Sequence, residues 1–377
     1  MPSLNKDILL EILESIVQNN LNESNKLQME MYKFSLIGKE NLSILMEFLE
    51  KATECNIDKD CYIAKIRQNT LLISPSSLYL LSMMKKIGQN IESLTIQGEP
   101  DNTKPIIDAI CEVKKLKELD LEDSLGIFAF HRVIKECSTS LKKITACVNA
   151  DIPEIGAVDG LHLDELLIET DLNNNFNTFL NENSCKTNSL SFDLYQFLPT
   201  SSFNWDHLIH SFSGVKNPVL NHVKEFKLLL EIDEYAEAIQ LTEFIKNIAE
   251  TFPNIELFHF EKNIPTQLYY GTNPLKYYNA WYDQFTATTH HFKTKILWNI
   301  SQKCQSLEVT KQNILSQTPK FKVIKEDDRQ ITLLCCEQLS NLKDLTFQIH
   351  LTSTSSSSRT NENSILAEMN SFNGVDI

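Results

Sequence analysis

Glycine is scarce in this 377-residue chain, which contains only nine. Nucleotide-binding loops need closely spaced glycines, as in G-x-G-x-x-G or G-x-x-x-x-G-K, and neither pattern occurs. The G-x-S-x-G turn that presents a catalytic serine is also missing. We therefore expect a protein that is not an enzyme and that binds no cofactor.

Cysteine and histidine spacing predicts neither a disulfide framework nor a metal site. The nine cysteines are odd in number and scattered, and none forms a C-x-x-C pair. The pair His290-His291 has no carboxylate or thiol at a ligand-like spacing. We expect reduced thiols and no bound metal. Cys335 and Cys336 end the apolar run Ile331–Leu334, so we expect both to be buried in a strand.

Long apolar runs are lacking as well. No stretch approaches the roughly 18 to 20 apolar residues that a membrane helix requires. The start of the chain carries charged residues and no cleavage signature, so it does not resemble a secretory signal. The formal net charge of -15 would repel a phosphate backbone. These features predict a cytoplasmic or nuclear protein with neither nucleic-acid nor membrane partners.

The chain does contain a repeated apolar pattern, apolar-x-x-apolar-x-apolar. Five copies recur at intervals of 22 to 25 residues and begin at Ile91, Leu116, Leu141, Leu163 and Thr187. Four more, at wider intervals, begin at Val223, Ile255, Cys304 and Leu342. Each copy predicts a short strand that points alternate side chains inward and cannot bury them alone. Neighbouring copies would therefore stack and share one core.

Helical patterns separate these strands, for example at Pro105–Val113 and Ala238–Ala249. The arrangement resembles the leucine-rich-repeat family over roughly residues 75 to 350. That family's asparagine after the strand is matched only by Asn149 and Asn263. The resemblance implies an α/β solenoid, with a curved parallel sheet and outer helices. The alternative is an α/β domain whose strands happen to be evenly spaced.

The first 50 residues predict a small helical unit. One helix is indicated by apolar residues at helical spacing, with Asn5 as its N-cap, namely Ile8, Leu9, Ile12, Leu13 and Ile16. Two further helices are predicted at residues 26–32 and 39–49. Three short helices make a marginal core, so we expect this unit to pack against a neighbour.

Two segments of this unit, Leu4 to Leu13 and Ser35 to Leu45, resemble the opening and closing segments of the F-box family. Asn5 stands where that family usually has proline, and Asn41 stands near its usual aromatic residue. The resemblance implies that residues 1–50 bind the adaptor of a cullin-RING ubiquitin ligase, and that residues 51–350 hold a target protein.

The residues that the resemblance assigns to adaptor contact or to the F-box core are Leu4, Ile8, Leu9, Ile12, Leu36 and Ile37. Sequence alone does not separate these two roles. The alternative function is a leucine-rich-repeat interaction scaffold unrelated to ubiquitin. In that case the N-terminal helices serve only to cap the solenoid.

Residues 264–300 are predicted to be an insertion, and this segment is rich in aromatic residues. Such rings are favoured at protein-binding hot spots, so we expect partner contacts from Tyr277, Tyr278, Trp281 and Tyr282. The alternative is that they pack the insertion onto the solenoid. The polar, serine-rich residues 351–377 are predicted to form a disordered tail.

Overall fold

The computed structural model describes residues 5–19, 24–73, 80–98, 103–121, 127–147, 158, 160–170, 174–195, 205–231, 240–264 and 274–353. The chain forms two compact units. Unit 1 comprises Met1–Phe192 and Val215–Val223, and unit 2 comprises Asp193–Gly214 and Lys224–Ile377. Each unit is α/β, with mainly parallel strands and an antiparallel group at one end.

Unit 1 begins with three helices, α1 (Lys6–Asn19), α2 (Ser24–Leu36) and α3 (Lys39–Leu49). They confirm the helices predicted for this region. The N-cap is also confirmed, because the Oδ1 atom of Asn5 accepts a hydrogen bond from the backbone N–H of Asp7 at 3.1 Å. The buried faces of α1 and α3 include Leu9, Leu13, Val17, Ile44, Leu45, Phe48 and Leu49.

Eight strands and four more α-helices complete the regular structure described in unit 1. The strands are β1 (Ala52–Ile57), β2 (Tyr62–Ile66), β3 (Asn69–Ile73), β4 (Ser93–Ile96), β5 (Glu118–Leu121), β6 (Lys143–Cys147), β7 (His162–Thr170) and β8 (Lys186–Tyr195), of which the last three residues are assigned to unit 2. The helices are α4 (Leu80–Ile87), α5 (Lys104–Val113), α6 (Ile127–Glu136) and α7 (Asn174–Glu182). A 3₁₀ helix spans Pro218–His222. The sheet order is β3-β2-β1-β4-β5-β6-β7-β8.

The repeated pattern predicts β4 to β8 correctly. Its middle positions in the first four copies, Leu94, Leu119, Ile144 and Leu166, lie in register on parallel neighbouring strands. All four are almost fully buried. Helix α5 confirms the helix predicted at Pro105–Val113. Strand alternation and intervening helices therefore build one layered core, as the pattern predicts.

The antiparallel strands β1, β2 and β3 are not part of the predicted pattern. They form a meander in which β1 pairs with β2 and β2 with β3. Strand β3 ends the sheet of unit 1, and α1 and α2 contact it. An ion pair of 2.7 Å between Arg67 and Glu14 joins the β2–β3 turn to α1. The N-terminal helices thus pack against a neighbour, as expected.

Unit 2 contains four helices and six strands in its described residues. The helices are α8 (Trp205–Ser211), α9 (Leu241–Thr251), α10 (Pro274–Ala287) and α11 (Leu307–Gln317). The strands are β9 (Glu225–Glu231), β10 (Leu257–Ile264), β11 (Lys293–Cys304), β12 (Lys322–Glu326), β13 (Gln330–Ser340) and β14 (Lys343–Ser353). Their order is β9-β10-β11-β14-β13-β12. Strands β9, β10, β11 and β14 are parallel, whereas β12 and β13 are antiparallel to their neighbours.

The copy predicted to begin at Cys304 is wrong. Leu307 and Val309 lie in helix α11, and Ser306 caps that helix with a side chain that accepts from the Val309 N–H. The actual strand is β11, in which Thr294 aligns with Phe258 of β10. Thr294 is fully buried and occupies an apolar position of the pattern. Because this position carries a polar residue, the apolar pattern does not mark β11. It instead matches Leu307 and Val309, which lie in α11.

Three other expectations need correction. Residues 264–300 do not form an insertion, because they contain α10 and most of β11, which make one regular helix–strand unit. Cys335 is buried in β13, whereas Cys336 is exposed because adjacent strand residues face opposite sides. The predicted tail begins too early, since residues 351–353 belong to β14. Residues 354–377 lie outside the described residues.

Aromatic side chains fill the core of unit 2. Phe226 and Phe258, in register on β9 and β10, stack with ring centroids 5.6 Å apart. Trp298 and Phe347, in register on β11 and β14, also stack at 5.6 Å. Such pairs add to the energy gained by burying the rings themselves.

Candidate functional site

The N-terminal helices separate the residues that the F-box resemblance groups together. Leu9 is only 6% exposed and belongs to the core, whereas Ile8 is 47% exposed. Ile12 is 41% exposed, and at the end of α2 Leu36 and Ile37 are 58% and 75% exposed. We call these four exposed residues the helical surface. Leu4 lies outside the described residues.

A shallow groove of about 460 Å³ runs along α1 beside α2. Ile8, Ile12 and Ile16 give it an apolar floor, and Lys26 and Glu30 of α2 line its other side. Leu36 and Ile37 are not among the residues that line it. Exposed apolar side chains next to charged ones are typical of a protein-binding surface.

The aromatic residues predicted to contact a partner lie mainly in the core. Trp281 on α10 is 4% exposed and stacks on Phe260 at 5.5 Å, with Trp298 at 4.7 Å. Tyr278 is also 4% exposed. Among the side chains of this set that the structure describes, only Tyr282 is half-buried rather than buried. Tyr278 and Trp281 therefore pack onto the sheet, which is the alternative given above for these rings. The side chain of Tyr277 lies outside the described residues.

Tyr278 is held by a small, partly buried polar cluster. Its hydroxyl donates a 2.8 Å hydrogen bond to Glu337 of β13, which also pairs with Lys320 at 2.6 Å. The Cys335 thiol lies 3.8 Å from the same hydroxyl. Burial, together with the bond to Glu337, raises the pKa of Tyr278 above its usual range. This tyrosine stays neutral and links α10 to β13.

A second surface, which sequence reasoning missed, is the side of the unit 2 sheet opposite α10. We call it the open face, and it consists of alternate residues of β9, β10, β11, β14 and β13. One row in register contains Lys227, His259, Lys295, Asp344 and Gln338. The next contains Leu229, Glu261, Leu297, Thr346 and Cys336. In the sequence, a residue of this surface lies between the second and third apolar positions of each repeat, as His259 does between Phe258 and Phe260. That alternation is the signal that would have predicted the surface.

The open face holds an open cavity of about 540 Å³ that is lined by both polar and apolar residues. His259, Lys295, Asp344 and Cys336 are among its lining residues. Burial, followed by the charge of Lys227, keeps the pKa of His259 below its ordinary value, so the ring is neutral near pH 7. The cavity thus combines a neutral imidazole with an exposed ammonium and a carboxylate, which suits recognition of polar protein groups.

Further along the open face, amide and imidazole groups are joined by hydrogen bonds. The Nδ2 atom of Asn299 donates to Oδ1 of Asn263 at 2.7 Å. Gln348 and His350 are in contact at 2.7 Å, and Thr332 reaches the other ring nitrogen of His350 at 3.1 Å. These bonds fix the side chains in place, so the surface is pre-organised for binding.

The pair His290-His291 has a structural role. His290 is half-buried between the rings of Phe285 and Phe292, and its Nε2 atom lies 2.9 Å from the Thr294 hydroxyl. Burial, together with the nearby charge of Lys343, lowers the pKa of His290 to about 4. Lys343 itself donates to the last carbonyls of α10, including those of Phe285 and Thr286 at 2.8 and 3.0 Å.

We expect unit 2 to lose stability as the pH falls, because His290 is neutral when folded. Its folded pKa of about 4 lies below the ordinary 6.5. Between these values the unfolded chain binds a proton that the folded unit does not. The free energy of unfolding should therefore decrease from pH 6.5 to about 4, by at most roughly 3 kcal/mol from this residue.

Urea unfolding followed by tryptophan fluorescence will measure this effect in unit 2. All three tryptophans lie there, at Trp205, Trp281 and Trp298. His290→Gln should flatten the pH dependence, and His291→Gln should not, because His291 is exposed. Part of the slope should persist in both variants, since burial also lowers the pKa of His259 and His350. An unchanged slope in His290→Gln would contradict the assignment.

Comparisons with known proteins do not assign a family. Neither a scan against protein-family models nor a search of curated proteins gave a match for this chain. No helix within the described ranges is long and apolar enough to cross a membrane. In the same part of the chain, no group of histidine, cysteine and acidic residues is arranged to hold a metal ion.

Proposed function

We propose that this chain is the non-enzymatic substrate-recognition subunit of a cullin-RING ubiquitin ligase, with an F-box-like helical unit and leucine-rich-repeat-like strands. The observation that carries the proposal is the helical surface. Four of the residues that the F-box resemblance assigns are apolar and 41 to 75% exposed, namely Ile8, Ile12, Leu36 and Ile37. Exposed apolar side chains beside charged ones are typical of interaction sites, and a partner that covers these four residues would account for their exposure. The proposal places the protein in the cytoplasm or the nucleus.

The N-terminal helices suit this role because their other faces are already used. Leu9, Leu13 and Val17 of α1 are buried in unit 1. The contacts of α1 and α2 with β3, together with the Arg67–Glu14 ion pair, hold the helices to the strands. An adaptor bound to the exposed side would therefore be attached to a fixed base rather than to a loose segment.

The target protein binds, in this proposal, to the open face rather than to the aromatic cluster. The open face offers exposed Lys295 and Gln338, the neutral imidazole of His259 and the cavity of about 540 Å³. Its side chains are positioned by β-strands, which hold a binding surface more rigidly than loops do. Of the predicted aromatic contacts whose side chains the structure describes, Tyr282 is the one that is partly accessible.

The second candidate function is an interaction scaffold unrelated to ubiquitin. Its supporting observation is that α1 and α2 contact β3, the strand that ends the sheet of unit 1. Sheet edges need such covers, and repeat arrays need caps. In this case the buried face of the helices is the functional one, and the helical surface binds nothing.

Affinity capture with the tagged full-length chain distinguishes the two functions. We expect the adaptor and the cullin to be recovered together with the intact chain. The double variant Leu36→Asp with Ile37→Asp should reduce recovery by about tenfold or more, because it places charges in the apolar contact. Both residues are exposed, so the fold should be retained.

Leu81→Asp is the matched control, since Leu81 is an apolar residue that is 56% exposed on α4 and does not belong to the helical surface. It should capture the adaptor as the wild type does. Failure of the intact chain to recover either subunit, with unit 1 folded by circular dichroism, would favour the scaffold.

A further inference from the structure

Strand β12 is the most exposed element of unit 2. All five of its residues are exposed, including Val323 at 39% and Ile324 at 54%. Strand β3, which ends the sheet of unit 1, instead has its alternate residues buried and is contacted by α1 and α2. The chain therefore covers one terminal strand with helices and leaves the other accessible.

The backbone of β12 has one free edge. Strand β12 ends the sheet order and pairs with β13. Among the described residues, its backbone makes no hydrogen bond to a third strand or loop. An edge of this kind presents a row of N–H and C=O groups that an additional strand can pair with. A register shift between Val323 and Lys325 bends the strand but leaves most of this row accessible.

The charges on β12 select the kind of strand that can be added. Lys322 and Lys325 pair in register with Leu334 and Thr332, which places both lysines on the open-face side. Two of the neighbouring carboxylates are engaged, Glu326 with Lys311 at 2.8 Å and Glu337 with Lys320 at 2.6 Å. In the turn that follows, Asp327 accepts hydrogen bonds from the backbone N–H groups of Arg329 and Gln330.

We propose that β12 binds an extended acidic segment of a partner protein by adding it as a strand to the free edge. Backbone hydrogen bonds would supply affinity, and carboxylates at alternate positions would pair with Lys322 and Lys325. Val323 and Ile324 add apolar contact. This inference does not depend on the adaptor or on the ubiquitin function.

The test uses the full-length chain and fluorescein-labelled synthetic peptides of about ten residues, which is enough to span the roughly 17 Å of a five-residue strand. One peptide alternates glutamate and valine, and another alternates lysine and valine. The acidic peptide should bind saturably, at least about tenfold more tightly than the basic one. Its affinity should fall as salt is added. N-methylation of alternate backbone nitrogens of the acidic peptide should abolish binding.

Two variants test whether the binding site lies on β12. Ile324→Pro should abolish binding, because proline removes an N–H group and obstructs an added strand. The double variant Lys322→Glu with Lys325→Glu should reverse the preference and bind the basic peptide. The matched control is Lys39→Glu with Lys51→Glu, two exposed lysines of unit 1 with the same change in net charge. It should keep the preference for the acidic peptide.

Several results would overturn the proposal. Equal binding of the acidic and N-methylated peptides would show that no strand is added. Undiminished binding by the folded Ile324→Pro variant would place the site elsewhere. Binding that appears only after removal of residues 354–377 would make the chain's own C-terminal segment the occupant. If the chain forms concentration-dependent dimers that are lost in the Ile324→Pro variant, the occupant of the free edge would be a second copy of the chain.

Discussion

Replacing Ile8 by aspartate should abolish adaptor capture and leave the fold intact, whereas the same replacement at the next residue should unfold the helical unit. Ile8 is 47% exposed and Leu9 is 6% exposed, although both belong to the apolar pattern of α1. Aspartate at position 8 lies in the first part of the helix, where the helix dipole favours a negative charge. We expect a change in stability of less than about 0.5 kcal/mol and a loss of capture of about tenfold or more.

Leu9→Asp should cost more than about 3 kcal/mol, because an unpaired carboxylate would be buried against α3. Its helical circular dichroism should be reduced and its unfolding temperature lowered. The two neighbouring variants thus separate adaptor contact from helix packing within a single turn. Normal capture by the folded Ile8→Asp variant would show that the helical surface is not the adaptor site. Loss of helix in Ile8→Asp would assign that residue to the core.

Much of the fold can be predicted because the strand pattern is local. In β4 to β10 and in β14, the spacing of apolar residues marks each strand. Strand β11 escapes because Thr294, a buried threonine that bonds to His290, stands at the middle position of the pattern, where the predicted copies carry leucine, isoleucine or phenylalanine. Strands β1, β2 and β3 are missed for another reason. Their apolar residues alternate without the leading residue that marks a repeat, as in Tyr62, Ala64 and Ile66.

The sites are harder to predict because exposure depends on distant packing. Apolar residues cover more than one side of α1, so spacing alone cannot separate Ile8 from Leu9. Composition identifies residues 274–287 as aromatic but cannot show that Trp281 stacks on Phe260 of β10. The open face becomes visible only when β10, β11, β14 and β13 are known to be neighbours.

Trp281→Ala should destabilise unit 2 by about 3 to 5 kcal/mol, the usual cost of removing a large buried aromatic side chain. Trp281 is 4% exposed, and its loss would leave a cavity between Phe260 and Trp298. Urea unfolding followed by the fluorescence of Trp205 and Trp298 measures the change directly. The effect on binding any partner should follow from unfolding, not from the loss of a contact.

Two further variants separate packing from recognition at this site. Trp281→Phe should recover most of the lost stability, because a smaller ring still fills part of the cavity and still stacks. Tyr282→Ala should cost clearly less than Trp281→Ala, since Tyr282 is only half-buried and lies under the ammonium of Lys320 at 4.9 Å. A Trp281→Ala variant with wild-type unfolding and reduced target binding would reverse this assignment, and it would restore the aromatic cluster as the contact surface. If binding instead fails in Tyr282→Ala alone, with stability kept, the contact would be assigned to this half-buried ring.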